Sequence, residues 1–230
     1  MLIAEEVLIL LTDTEGRAVS TPRATRTVCT GALLLELELA GRLRLDDAGR
    51  LMVTDGAPTG AESPGGTPAE PLPESLEEAM ALFAKHEGRK PKAIMPVVAR
   101  RCEALAYDAL LASGAAEEEK HNALGFIPDT RRHLTDPAGR DALHREVQAV
   151  LLGEQPPTTR TGSLIALLHA ASSIHTVFAG AGGLSDKELR GRAADIADGE
   201  WASEASRGAI RSMQTAMVVG VGVAMFGAGS

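Results

Sequence analysis

The stretch GALLLELELAGRLRL, residues 31–45, sets the first well-defined elements of the chain. Its leucines recur four positions apart, which is typical of a helical face, so we predict a helix over residues 27–40 that ends at Gly41. RLRL and RLMV then flank DDAG, residues 46–49, which predicts a short hairpin with Gly49 at a positive φ. The stretch therefore predicts a helix followed at once by a small antiparallel hairpin.

The composition favours close-packed helices and argues against a general nucleic-acid binder. The chain has 230 residues, 44% of them hydrophobic and only 3% aromatic, so Ala, Leu and Val must fill the core. Its net charge of −8 opposes binding to a phosphate backbone. Cys29 and Cys102 lack the spacing of a metal site and indicate a reducing compartment. The apolar run at residues 216–229 is shorter than the roughly 20 residues that span a bilayer, so we expect a buried C-terminal helix in a cytoplasmic protein.

The rest of the chain is predicted to be mostly helical. Residues 20–26 form a polar loop, residues 57–73 form a loop rich in Pro and Gly, and residues 123–134 form a second hairpin or a loop. Further helices are predicted at 74–85, at 92–113 with a start near Pro96, and at 141–152, 162–178, 185–196 and 203–226. We expect a single mostly α domain over residues 1–230, a helical bundle wrapped by further amphipathic helices, with one or two small β-hairpins.

Three groups of basic residues are candidates for an anion site if the fold brings two of them together. The groups are Arg23 with Arg26; Arg89, Lys90, Lys92, Arg100 and Arg101; and the pair Arg131 with Arg132. The last pair follows Leu124, Phe126 and Ile127, and apolar residues next to cations suit insertion into an anionic membrane surface. The same pattern suits an oligomer contact, and simple surface solvation is the alternative for every group.

Several acidic residues need separate interpretations. Asp46 and Asp47 are typical of turn chemistry, since a DDxxD motif would need an aspartate where Arg50 stands. Glu36 and Glu38 lie in an apolar helix, so either would be buried with a raised pKa or paired with an arginine such as Arg42, Arg44 or Arg100. We predict no metal site from the histidines.

The chain resembles the Golgi phosphoprotein 3 family, in particular its actinobacterial-type members. The resemblance is carried by GALLLELELAGRLRL (31–45), DGAPTG (55–60), LLASGA (110–115), LIALLHAASSIHTVF (164–178) and the apolar C-terminal segment. It implies a mostly α-helical bundle wrapped by further helices, with small hairpins. For eukaryotic members it implies binding of phosphatidylinositol 4-phosphate at membranes and recruitment of glycosyltransferase tails.

The resemblance also implies a headgroup pocket made by a tryptophan and three arginines. The tryptophan position falls near Thr21 and the first arginine on Thr30, while the other two arginines fall on Arg100 and Glu103. One of the four is kept, and a glutamate in a phosphate pocket lowers affinity by repulsion. The family's hairpin, which supports membrane insertion and self-association, corresponds to residues 123–134.

Three functions remain open from the sequence. The first is a peripheral membrane adaptor at the inner face of the membrane, which binds an anionic lipid headgroup or small phosphorylated ligand without a cofactor and forms a homo-oligomer. The second is a helical-bundle enzyme, a lyase or cyclase acting on an isoprenoid diphosphate, with Mg²⁺ at Asp195 and Asp198; a solvated face is the alternative for these aspartates. The third is a winged-helix-like DNA binder over residues 27–53, although no nucleic-acid partner is expected from the charge.

Overall fold

The chain folds as helices with two small hairpins, as the sequence predicts. The computed structural model describes residues 1–54, 71–123, 127–199 and 204–217. The helices are α1 (Ile3–Leu10), α2 (Pro22–Leu39), α3 (Glu74–Ala84), α4 (Pro91–Ala112), α5 (Pro137–Leu152), α6 (Thr159–Ala170), α7 (Ile174–Val177), α8 (Asp186–Ala197) and α9 (Glu204–Met217). The strands are β1 (Leu43–Leu45), β2 (Leu51–Val53), β3 (Ala116–Ala123) and β4 (Ile127–Leu134). Among the described residues, no helix is both long enough and apolar enough to cross a bilayer.

Helix α2 is the centre of the bundle. It packs against α1, α3, α4, α6 and α9, and its residues from Val28 to Glu38 are all buried. A helix that is apolar on nearly every side can be stable only when other helices surround it. The central position of α2 explains why residues 31–45, which include most of its buried part, strongly determine the fold.

Helix α2 begins earlier than predicted, so the expected polar loop at residues 20–26 is wrong from Pro22 onward. Pro22 occupies the first helical position, where its missing N–H costs nothing. The Thr21 hydroxyl accepts a hydrogen bond from the Ala24 N–H at 3.2 Å and caps the helix. The first turn of α2 therefore places Arg23 and Arg26 on a helix rather than on a loop.

The α2 and α9 helices approach each other closely at Gly31. A Cβ atom at Gly31 would lie 2.5 Å from Met217 Sδ and 3.2 Å from Met213 Cγ, both on α9. It would also lie 3.0 Å from a methyl carbon of Leu167 on α6. The absence of a side chain at position 31 lets two helices pack against the same point of α2.

The first hairpin is confirmed in position and turn chemistry. Leu43, Arg44 and Leu45 pair with Val53, Met52 and Leu51 in an antiparallel register. One carboxylate oxygen of Asp46 accepts the N–H groups of Ala48 and Arg50, at 2.9 and 2.7 Å. Gly49 has a φ of 70°. The aspartate is thus part of the turn, as predicted for DDAG.

Two helix predictions are wrong in detail. Helix α4 starts at Pro91 and contains Pro96, whose ring lies on an exposed side of the helix where water can solvate the carbonyl that loses its partner. The helix predicted at 162–178 is instead divided into α6 and α7. Ser172 between them has a φ of 56°, which a continuous α-helix does not allow.

The second hairpin is longer than predicted because its first strand starts at Ala116. Glu118 pairs with Arg132 and Glu119 with Arg131 across the two strands, and opposite charges at facing positions stabilise such a ladder. Leu124 and Phe126 lie outside the described residues, and only the backbone of Ile127 is described. Residues 57–70 of the predicted Pro/Gly-rich loop and the C-terminal segment after Met217 also lie outside them.

Buried glutamates line the contact between α1 and α2. Glu36 accepts the Ile3 N–H at 2.6 Å instead of pairing with an arginine. Burial raises the pKa of Glu36 to about 7, against hydrogen bonds from Ile3 and Ala4 that lower it, and Glu5 and Glu6 raise it further. Of the two outcomes expected for Glu36, the structure therefore gives the buried carboxyl with a raised pKa.

Glu6 is held by an ion-pair network that joins three helices. The Arg160 guanidinium on α6 contacts Glu6 on α1 at 2.6 Å and Glu146 on α5 at 2.8 Å. The Glu6 side chain is only 4% exposed, whereas that of Arg160 is 45% exposed. Arg160 thus neutralises a carboxylate that water hardly reaches.

We expect Arg160→Leu to lower the free energy of unfolding by about 2 kcal/mol, below the roughly 3–5 kcal/mol typical of fully buried pairs because Arg160 is half exposed. Urea denaturation at neutral pH measures the change. Arg145→Leu, at an exposed position on α5, is the matched control. Equal losses in the two variants would contradict a specific role for the Arg160 pair.

Candidate functional site

A groove lies where the first turn of α2, the middle of α4 and the β3–β4 hairpin meet. Its volume is about 430 Å³, which is within the range of small-ligand sites. Its polar and charged lining residues are Ser20, Thr25, Arg100, Glu103, Tyr107, Asp108, Glu118 and Arg132. The groove therefore combines two predicted arginines with several acidic side chains.

Each acidic side chain of the groove has an arginine partner. Glu103 accepts the Nε–H of Arg26 at 2.8 Å, and Glu118 lies 3.2 Å from Arg132. Asp108 lies 3.8 Å from Arg101, which also pairs with Glu78 on α3. These ion pairs reduce the negative charge that the carboxylates present to an anion, although Arg101 is shared between Asp108 and Glu78.

Arg100 is the cation left over after this pairing. It is exposed on α4, and it forms no ion pair within the described parts of the chain. Pro22 and Thr25 bring the N-terminal end of α2 to the same groove, and a helix N-terminus carries a partial positive charge. Arg100 and this helix end together give the groove a local attraction for one negative group.

An aromatic ring forms part of the groove wall. The Arg132 guanidinium lies 3.8 Å from the centre of the Tyr107 ring, a cation–π geometry that holds both side chains in place. Burial raises the pKa of Tyr107 to about 12, so its hydroxyl stays protonated at neutral pH. Sequence reasoning missed Tyr107, although it is the only tyrosine and follows Glu103 by one helical turn.

The predicted arginine pairs separate in the structure. Arg100 and Arg132 line the groove, whereas Arg26 and Arg101 lie outside the lining and pair with its carboxylates Glu103 and Asp108. Arg23 lies exposed on the first turn of α2, and Arg131 is half-buried on β4. Neither of these two is among the groove's lining residues.

The three altered pocket positions each have a local structural role. Thr21 caps α2, and the buried Thr30 donates its hydroxyl hydrogen to the Arg26 carbonyl at 2.7 Å. Glu103 is paired with Arg26, which precedes Thr30 by four residues on the same side of α2. Thr30 stands where the family resemblance implies an arginine, and Arg26 lies one helical turn before it. The charge of Arg26 therefore offsets the repulsion expected from Glu103.

The structure also bears on the two alternative functions, the isoprenoid diphosphate enzyme and the winged-helix DNA binder. Asp195 and Asp198 are both exposed on or just after α8, and no group of three or more His, Cys, Asp or Glu side chains among the described residues could hold a metal ion. Burial of α2 from Val28 to Glu38 argues against the winged-helix alternative, since a recognition helix must expose one face to the DNA groove.

Comparison with known proteins agrees with this fold. The family model for Golgi phosphoprotein 3 matches residues 3–213. No curated protein matches the chain closely enough to count as a relative. The matched region includes every described helix except the last four residues of α9. Since the match spans well over half of the sequence, the chain belongs to the Golgi phosphoprotein 3 family.

Proposed function

We propose that this protein is a peripheral membrane adaptor, which binds an anionic lipid headgroup or a small phosphorylated ligand in the α2–α4 groove at the cytoplasmic face of a membrane. Membership of the Golgi phosphoprotein 3 family supports this role. The observation that carries the proposal is Arg100, which forms no ion pair with a described residue, in a groove whose three carboxylates each contact another arginine.

The same groove supports recognition of a phosphate rather than of a particular headgroup ring. Arg100 supplies a guanidinium with the fork geometry that suits phosphate oxygens. At the α2 end of the groove the Ser20 hydroxyl donates to the Thr25 hydroxyl at 2.7 Å, and Thr25 donates to the Thr21 carbonyl at 3.2 Å, so Arg100 is the main donor to a phosphate. With one of the four family pocket residues kept, we expect weaker discrimination among anionic lipids than a complete pocket would give.

The proposed membrane contact includes the segment between β3 and β4. Its sequence supplies the apolar residues Leu124 and Phe126, with Ile127 at the start of β4, and Arg131 and Arg132 follow on β4. Inserting such side chains between headgroups would add apolar burial to the charge interaction at the groove. Self-association through the same hairpin remains part of the proposal.

We expect Arg100→Glu to lower the affinity for anionic vesicles about thirtyfold, because it changes the local charge by two and each charge near an anionic surface contributes about 1 kcal/mol. Co-sedimentation with vesicles of phosphatidylglycerol and phosphatidylcholine measures the affinity. Arg145→Glu makes the same charge change on α5, and we expect it to have a much smaller effect.

Two further experiments characterise the ligand. Inorganic phosphate and inositol phosphates in competition with vesicles distinguish a free phosphorylated ligand from a lipid headgroup. Binding should also fall with added salt, because the attraction is electrostatic. Absence of salt-sensitive binding to anionic vesicles and to phosphate ligands, or equal losses for Arg100→Glu and Arg145→Glu, would overturn the proposal.

A further inference from the structure

The outward side of α4 combines exposed apolar groups with basic groups. Five exposed positions about one helical turn apart, Lys92, Ala93, Pro96, Val97 and Arg100, are together called the α4 outer face. Ile94, Met95, Val98 and Cys102 on the opposite side are buried in the core. The α4 outer face is therefore fixed in place by the helix's own packing.

Val97 is the apolar centre of this face. Its side chain is 67% exposed, and Met1 is the other large apolar side chain that stands exposed in the described part of the chain. Pro96 and Ala93 extend the apolar surface on either side of it. This area is far smaller than the roughly 800 Å² per partner of a stable protein interface.

The charge around Val97 has one sign. Residues 89–101 contain five Lys or Arg and no Asp or Glu, in a chain whose net charge is −8. Arg101 is tied to Glu78 and Asp108, whereas Lys92 and Arg100 form no ion pair with any described residue. The α4 outer face thus presents unpaired cations on both sides of an exposed valine.

We infer that the α4 outer face lies flat on an anionic bilayer, with Val97 among the lipid headgroups and Lys92 and Arg100 on the lipid phosphates. The inference rests on the proposed membrane association and adds the orientation of the protein on the membrane. Arg100 joins the two sites, because it lies at the groove and also one turn after Val97 on the outer face.

Charge complementarity favours a bilayer over a second copy of the chain as the occupant. A twofold-symmetric dimer through this face would bring its cations against the same cations of the partner, and like charges at close range repel. An anionic bilayer supplies the opposite charge and also accepts a small apolar group at the headgroup level.

The chain allows a direct test by site-specific labelling. Cys29 and Cys102 are both fully buried, and burial raises the pKa of both thiols, so neither competes with an exposed cysteine for a thiol-reactive dye. Val97→Cys carries an environment-sensitive fluorophore at the centre of the face. Ala142→Cys, at an exposed position on α5, carries the same fluorophore as the control.

We expect the label at position 97 to shift to shorter emission wavelengths with phosphatidylglycerol-containing vesicles and not with pure phosphatidylcholine vesicles. The label at position 142 should not shift with either. In the unlabelled protein, Lys92→Gln should reduce vesicle affinity about fivefold, and Arg145→Gln should leave it nearly unchanged.

The outcomes separate this inference from the proposed function. Co-sedimentation with anionic vesicles but no change at position 97 would overturn the orientation and leave the groove proposal standing. A shift that depends on protein concentration without vesicles would assign the face to a second copy instead. Failure of the unaltered protein to bind vesicles at all would overturn the membrane role, and the inference with it.

Discussion

Replacing Glu36 by glutamine is expected to raise the free energy of unfolding at pH 8 by about 3 kcal/mol and to leave it almost unchanged at pH 4. The pKa of this carboxyl rises from its ordinary value of 4.5 to about 7 on folding. A raised pKa means that the folded chain binds the proton more tightly than the unfolded chain does. The stability contributed by protonated Glu36 is thus lost as pH rises from about 4.5 to about 7.

The magnitude follows from the difference between these two pKa values, at 1.36 kcal/mol for each pH unit. Glutamine has the shape of the protonated carboxyl, and its oxygen can still accept the Ile3 N–H. The other carboxylate oxygen of Glu36 has no hydrogen-bond partner among the described residues. The NH₂ group of glutamine would replace this oxygen, so the substitution removes no hydrogen bond that stabilises the carboxylate.

Urea denaturation of both proteins between pH 4 and pH 8 measures this effect as the difference between two stability curves. The difference removes contributions from the other titrating groups, which are common to both proteins. Glu77→Gln, at an exposed position on α3, should give a curve parallel to that of the unaltered protein. Parallel curves for Glu36→Gln as well would show that Glu36 does not titrate near neutral pH.

Replacing Gly31 by leucine is expected to lower the free energy of unfolding by about 3 kcal/mol, at the upper end of the usual cost of overpacking. The first added carbon alone would lie 2.5 Å from Met217 Sδ. The methionine side chains can bend away from one methyl group, but a whole leucine would push α9 off α2. Leu167 on α6 limits movement in the other direction.

Gly191→Leu is the matched control for this variant. Gly191 lies within α8, and a Cβ atom there would meet nothing within 4 Å. Without a steric cost, the better helix propensity of leucine should make this change neutral or stabilising by up to about 1 kcal/mol. Thermal unfolding followed by circular dichroism should show a lower midpoint for Gly31→Leu only. A similar change in both variants would mean that α9 does not depend on the glycine.

The sequence predicts the fold well where local chemistry dictates it. The DDAG turn is correct because the Asp46 side chain and Gly49 act within five residues. Helix starts were missed where a proline occupies the first position, since Pro22 and Pro91 look like breaks but are compatible with helix N-termini. The break at Ser172 has no comparable sequence signal, because serine seldom adopts a positive φ.

The candidate site was less predictable because its charges cancel through long-range pairs. Arg26 and Glu103 are separated by 77 positions, so no local pattern shows that one neutralises the other. Arg100 was a candidate from the basic cluster in its own segment and from the family pattern, whereas its lack of an ion pair with described residues depends on how α2, α4 and the hairpin meet. Tyr107 was missed for the same reason, since its role depends on contact with Arg132 of another element.

The contact between α2 and α9 also has a consequence for the order of events during synthesis. Met217 lies 186 positions after Gly31, so at roughly 5–20 residues per second the ribosome adds it about 10–40 s later. Throughout that interval the central helix of the bundle lacks one of its covering partners. The Gly31 side of α2 therefore stays uncovered in the nascent chain, and the packing of the bundle is completed only after Met217 has been synthesised.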